Sequence, residues 1–158
     1  MTTADANAFL TGPIPTLRTP FTREGVIDEE SLRNLIDFII EANANVLVLT
    51  VGDSHYEILS DEEILALTRL VLEQVNGRVP VVVADRRFST RQAVAFARDC
   101  RRLGASMIMV LPPDWGSSIT PASLAAHYAR IAGELPVMLV TNFLIPRGPS
   151  VGMEFVSQ

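Results

Sequence analysis

Apolar residues gather in five short runs along the chain, and the longer stretches between them mix polar and apolar residues with a helical period. The runs span Ile14–Leu17, Val46–Val51, Val81–Ala84, Met107–Leu111 and Val137–Val140. The middle three are almost continuous in Val, Ile, Leu and Met, which is typical of parallel strands buried on both faces. Successive runs start 32, 35, 26 and 30 residues apart. Such a spacing indicates one strand, one loop and one helix per unit.

The stretches between the runs predict four helices. In the first of them, Leu32, Ile36 and Ile39 recur at the spacing of one helical face. Ser60 and Glu63 have the spacing of a capping box, in which each side chain accepts a hydrogen bond from the other residue's backbone N–H. The predicted N-cap residues are Asp28, Ser60, Ser89 and Thr120.

Alternating strands and helices predict an α/β fold with a parallel sheet and right-handed crossovers. Two architectures fit: the first five units of a TIM (β/α)8 barrel, or a five-stranded doubly wound flavodoxin-like sheet. A complete barrel typically needs ~250 residues, so length alone favours the doubly wound sheet. Residues 1–158 are predicted to form a single domain, with an N-terminal tail over 1–12 and an irregular segment over 143–158.

Composition narrows the functional classes. The net charge of −5 gives no support to a nucleic-acid partner, and no apolar run is long enough for a membrane span. Cys100 is the single cysteine and there is no zinc-binding pattern, so we expect no metal and a cytoplasmic location. We also expect no cofactor, because neither a G-x-G-x-x-G nor a Walker motif is present. All thirteen basic residues are arginine, so no side chain of this chain can form a Schiff base.

Polar residues that follow the second and third runs are the candidates for ligand binding. Parallel α/β folds bind ligands at the C-terminal ends of their strands. The candidates there for binding a small carboxylate or hydroxy acid are Gly52, Asp53, Ser54, His55 and Arg86. The alternative for the loop is that its polar side chains hydrogen-bond their own backbone. The alternative for Arg86 and Arg87 is that they are solvated or form ion pairs with Asp85 or Asp53.

Four stretches, taken in order, resemble the dihydrodipicolinate synthase / N-acetylneuraminate lyase family. They are PIPTLRTPFTREGVID near the start, LSDEE at Leu59–Glu63, the unit Gly77–Ser106 and VLPPDW at Val110–Trp115. The resemblance covers roughly residues 12–148. It implies a lyase or aldolase acting on pyruvate or another 2-oxo acid, an oligomer, and a TIM barrel of which this chain is the first half.

The resemblance also implies which residues matter. The family's Schiff-base lysine lies on a sixth strand, before which this chain stops, and its proton-relay tyrosine aligns with Val140. Its Gly-Thr-Thr-Gly-Glu carboxylate loop aligns with Val51–His55, where neither threonine is kept. Arg147, between Pro146 and Gly148, resembles the arginine that faces the substrate carboxylate. Trp115 replaces an aromatic residue of the active site or subunit contact, with core burial as its alternative.

Three hypotheses follow: the N-terminal half of a lyase, a non-catalytic half-barrel that self-associates or binds a small carboxylate, or a small-molecule binding α/β domain of flavodoxin type. The half-barrel hypothesis depends on open strand edges and on side chains facing the barrel interior. We expect Leu49, Val83, Val110 and Leu139 to face that interior.

Overall fold

The computed structural model describes residues 10–140 of the 158-residue chain. Its helices are α1 (Glu29–Glu41), α2 (Asp61–Val75), α3 (Thr90–Leu103) and α4 (Pro121–Ala132). Its strands are β1 (Leu47–Leu49), β2 (Val81–Asp85), β3 (Met107–Val110) and β4 (Val137–Leu139), with a short 3-10 turn at Gly116–Ser118. The predicted alternation of strands and helices is therefore confirmed over this part of the chain.

Local capping explains where the helices begin. The side chains of Asp28, Ser60 and Thr120 each accept a backbone N–H from the first turn, and Ser60 forms the predicted capping box with Glu63. Ser89 occupies the N-cap position of α3 but makes no side-chain capping hydrogen bond. The N-cap positions were thus predicted correctly, but the side-chain capping hydrogen bond expected of Ser89 is not formed.

The four strands are parallel and lie in the order of the chain, β1-β2-β3-β4. The first apolar run lies beside β1 through a single parallel bridge, Thr16 to Val48, rather than as a strand. Pro13 and Pro15 explain the shortfall, because proline has no N–H to extend the ladder. This order lacks the reversal of a flavodoxin-like sheet, so the described strands follow the arc of a barrel.

The sheet has a helix-covered face and an opposite face. On the helix side, Leu49, Val83 and Val110 belong to the large buried core that the four helices share. On the opposite side, a smaller cluster contains Val46, Val48, Val82 and Met107. The prediction that Leu49, Val83, Val110 and Leu139 face the barrel interior was therefore wrong: the first three lie in the helix-side core, and the register sets Leu139 opposite Val110. Nearly continuous apolar runs carry no alternation, and a shift of one residue exchanges the two faces.

Candidate functional site

The loop that links β1 to α2 is anchored to the first apolar segment by Ser54. The Ser54 Oγ donates a hydrogen bond to the Leu17 carbonyl at 2.6 Å and accepts one from the Thr50 N–H at 3.0 Å. The Ser54 carbonyl in turn accepts from the Thr19 Oγ1 at 2.8 Å. Ser54 is fully buried, so its hydroxyl holds the loop in place.

Asp53 is tied to the same segment, but by its carboxylate. The Asp53 Oδ2 accepts a hydrogen bond from the Thr16 Oγ1 at 2.7 Å. The Asp53 N–H donates to the Thr50 Oγ1 at 3.0 Å. Asp53 therefore fastens the C-terminal end of β1 to its neighbour and keeps a carboxylate at the mouth of the sheet.

Gly52 and His55 form the outer part of this loop. His55 adopts a left-handed backbone conformation, with φ of 59°, and its ring lies 5.8 Å from the Phe21 ring. Within residues 10–140 the His55 ring makes no hydrogen bond, so Asp53 does not orient it as a base. Within residues 10–140, no atom beyond the neighbouring residues comes within 4 Å of a Cβ placed on Gly52. Gly52 is exposed, so this open space beside the loop faces solvent.

Arg86 follows β2 and reaches back to the far end of the loop. Its guanidinium donates to the carbonyls of Tyr56 and Leu59, the latter at 2.9 Å, and lies 3.4 Å from the Asp61 carboxylate. Carbonyl contacts of this kind fix a backbone turn. The structure thus places Arg86 on the Tyr56–Leu59 turn, where Nη1 and Nη2 both donate to the protein itself.

Arg87 forms ion pairs with the buried Asp85 and with the exposed Asp61. Its guanidinium is 3.1 Å from the Asp85 carboxylate and 2.9 Å from Asp61, and it stacks 3.9 Å over the Phe96 ring. The predicted pairing with Asp85 is confirmed. Burial raises the pKa of the Asp85 carboxyl above its usual range, although contacts with Arg87 oppose that shift.

Two further groups of polar residues were missed by the sequence reasoning. Thr16 and Thr19 both hold the loop, and their spacing of three residues in TLRT gave no functional signal. His127 is buried against Trp115, and its Nδ1 lies 2.8 Å from the Thr90 hydroxyl. Burial lowers the pKa of His127. An isolated histidine in a helix gave no sign of this contact.

No group of three or more His, Cys, Asp or Glu side chains suited to a metal ion is found within residues 10–140. Over the same residues, no helix is long and apolar enough to cross a membrane.

Comparison with known proteins decides the family. Residues 9–149 match the model of the "Dihydrodipicolinate synthetase family". The chain belongs to the dihydrodipicolinate synthetase family. Among its curated relatives, L-2-keto-3-deoxyarabonate dehydratase of Azospirillum brasilense is 30% identical over 93% of this chain and 48% of its own length. A 4-hydroxy-tetrahydrodipicolinate synthase of Trichlorobacter lovleyi is 34% identical over 81% of this chain and 44% of its own length.

Solved structures of the dihydrodipicolinate synthetase family superpose on this chain. A prophage protein of the dihydrodipicolinic acid synthase family from E. coli K12, in complex with pyruvate, has a TM-score of 0.75 at 30% identity and covers 82% of this chain. The dihydrodipicolinate synthase of Acinetobacter baumannii, complexed with pyruvate, also has a TM-score of 0.75, at 29% identity over 84% of this chain. These matches cover 44% and 46% of those proteins. The chain thus spans about half the length of its family relatives.

The family resemblance also singled out Arg147 and Val140. Arg147 lies outside the described residues 10–140. Val140, which aligns with the family tyrosine, donates its N–H to the Val110 carbonyl at 3.2 Å and so continues β4.

Trp115 is half-buried and donates its Nε1 hydrogen to the Phe88 carbonyl at 2.7 Å, which ties it to the loop after β2.

Proposed function

We propose that this chain provides the first five β/α units of a TIM-barrel lyase that binds pyruvate or another short 2-oxo acid. The family match supports the reaction class. The observation that carries the proposal is the polar mouth of the sheet, where Thr16, Asp53 and the open space at Gly52 meet at the C-terminal ends of parallel strands. Parallel α/β proteins bind their ligands at that end.

Within this chain, the proposed role is binding rather than covalent catalysis. The sequence contains no lysine, and the family's threonine pair and tyrosine are replaced at Gly52–Asp53 and Val140. A chain without a lysine side chain cannot form an imine with a ketone there. We infer that Arg147 contributes to the carboxylate site, and that the protein acts in the cytoplasm without a nucleic-acid partner.

Pyruvate binding tests this proposal. We expect the 158-residue chain to bind pyruvate saturably in isothermal titration calorimetry. Gly52→Val should abolish binding, because its side chain would fill the open space beside the loop. The backbone at Gly52 needs no left-handed conformation, so the thermal unfolding midpoint should change little. Wild-type protein that gives no heat of binding would refute the proposal.

A second candidate function, self-association as a half-barrel, is favoured by the outer edge of the first apolar segment, which pairs with no further strand within residues 10–140. An apolar groove there is lined by Pro13, Ile14, Pro15, Phe38, Ile39, Ala42 and Ala44. The Phe38 side chain is 68% exposed. At the other edge of the described sheet, Leu139 is 37% exposed. Unpaired strand edges and exposed apolar side chains both promote association.

Light scattering tests the self-association. We expect a species larger than a monomer at micromolar concentration, and we expect Phe38→Ser to shift it toward the monomer. Ile58→Ser is the matched control, because Ile58 is also 68% exposed but lies on the site loop, at the opposite end of the sheet. A strictly monomeric wild-type chain with cooperative unfolding would contradict this candidate.

A further inference from the structure

Most of the polar residues that first suggested a carboxylate site already make hydrogen bonds within the protein. The Ser54 hydroxyl both donates and accepts within the protein, and the Arg86 guanidinium holds loop carbonyls. Asp53 carries the wrong charge for an anion. A carboxylate at this mouth therefore requires another cation within the described residues.

Strand register identifies that cation. Thr16 pairs with Val48, so the two side chains share a face, and Val48 belongs to the cluster on the face opposite the helices. Side chains two residues apart on an extended segment lie on the same face. Arg18 therefore follows Thr16 on this face, toward the C-terminal end of β1. The backbone pairing itself stops at Thr16, because the Ser54 Oγ bridges the Thr50 N–H and the Leu17 carbonyl. The alternate residues Leu17 and Thr19 are buried on the helix side, which agrees with this assignment.

The same register continues across the sheet as one row of side chains. By the alternation along each strand, Thr50 follows Val48 and Ala84 follows Val82 on this face. Ala84 also contacts the large helix-side core, and it pairs with Met109. Met109 pairs with Met138, and both methionines are half-buried. From one edge to the other, this mouth row reads Arg18, Thr50, Ala84, Met109 and Met138. It places a cation and a hydroxyl beside a small residue and two apolar thioethers.

We propose that Arg18 binds the carboxylate of the 2-oxo acid, with the Thr50 hydroxyl as a second donor and the methionines of the mouth row against the apolar end. The inference rests on the proposed function and adds a specificity-determining residue to its site. Arg18 is exposed and makes no ion pair or hydrogen bond with other residues of the 10–140 range. Its planar guanidinium suits bidentate carboxylate capture.

The surroundings of Arg18 leave it available to an anion. Its guanidinium is exposed to solvent and has no carboxylate partner within residues 10–140. Asp53 accepts its hydrogen bond from Thr16 and not from Arg18. A bound monocarboxylate would supply the missing partner. A short, apolar tail fits best, because Met109 and Met138 offer no polar group that recognises hydroxyls.

NMR of methyl-labelled methionine tests this assignment. Pyruvate should shift the methyl signals of Met109 and Met138 in the wild-type chain, whereas acetone, which lacks the carboxylate, should not. We expect Arg18→Gln to weaken pyruvate binding about tenfold or more, the range for a lost charge-assisted hydrogen bond. Arg23→Gln, an exposed arginine on a nearby turn, should bind as the wild type does.

The outcomes separate the two levels of the proposal. Undisturbed methyl signals in the wild-type chain would overturn this inference, and the proposed function falls with it if calorimetry also gives no heat of pyruvate binding. Wild-type shifts that persist in Arg18→Gln at unchanged affinity would overturn the role of Arg18 and leave the proposed function standing. Equal weakening in Arg18→Gln and Arg23→Gln would show a general charge effect and also overturn it. Methyl spectra of the ligand-free variants verify that each is folded.

Discussion

Replacing Arg87 with methionine is expected to lower the free energy of unfolding by about 3–5 kcal/mol, the range for removing one partner of a buried ion pair. Arg87 neutralises the Asp85 carboxylate, which is fully shielded from solvent. Methionine keeps most of the apolar contact with Phe96 but supplies no charge. The variant would thus leave an uncompensated carboxylate in the core, and chemical denaturation followed by circular dichroism measures the loss.

Acidity should relieve the defect in Arg87→Met. Burial already raises the pKa of Asp85, and losing the guanidinium that opposes this shift raises it further. A carboxyl that binds its proton more tightly in the folded state makes stability fall as pH rises above the carboxyl's ordinary pKa. We therefore expect Arg87→Met to be closer to wild type at pH 5 than at pH 7.

Two further variants check the origin of the effect. Arg91→Met is the matched control, because Arg91 lies exposed in the first turn of α3 and has no ion pair within residues 10–140. It should cost little. Adding Asp85→Asn to Arg87→Met should restore part of the lost stability, since the amide removes the buried charge. A stability loss that neither pH nor Asp85→Asn changes would point to lost packing instead of the ion pair.

We also expect no side chain of this protein to form a borohydride-trappable adduct with pyruvate, because the sequence contains no lysine. Arginine keeps its proton far above neutral pH and offers no nucleophilic amine. Intact-mass spectrometry after borohydride reduction makes the measurement. Acetylating the N-terminal amine beforehand removes the one other amine. A stoichiometric pyruvyl increment on the acetylated chain would contradict the prediction.

At the candidate site, the sequence located the loop but not the roles of its residues. Gly52, Asp53, Ser54 and His55 lie at the C-terminal end of β1, as the strand pattern predicted. Ser54 is held by the Leu17 carbonyl, which lies 37 positions away in the sequence. Arg86 is held by the carbonyls of Tyr56 and Leu59, which lie 30 and 27 positions away. Nothing in the sequence pointed to Arg18, because its proposed role depends on the face of the first segment that it shares with Thr16.

The sequence by itself determined the order and type of the elements. Apolar runs, helical periodicity and N-caps such as Asp28 and Ser60 act over a few residues, so their effects can be read locally. Tertiary structure alone decided which face of each strand meets the helices, because uniform apolar runs such as Val81–Ala84 have no alternation to fix it. It also decided which polar groups are left for a ligand, because hydrogen bonds between distant residues consume Ser54 and Arg86 and leave Arg18 available.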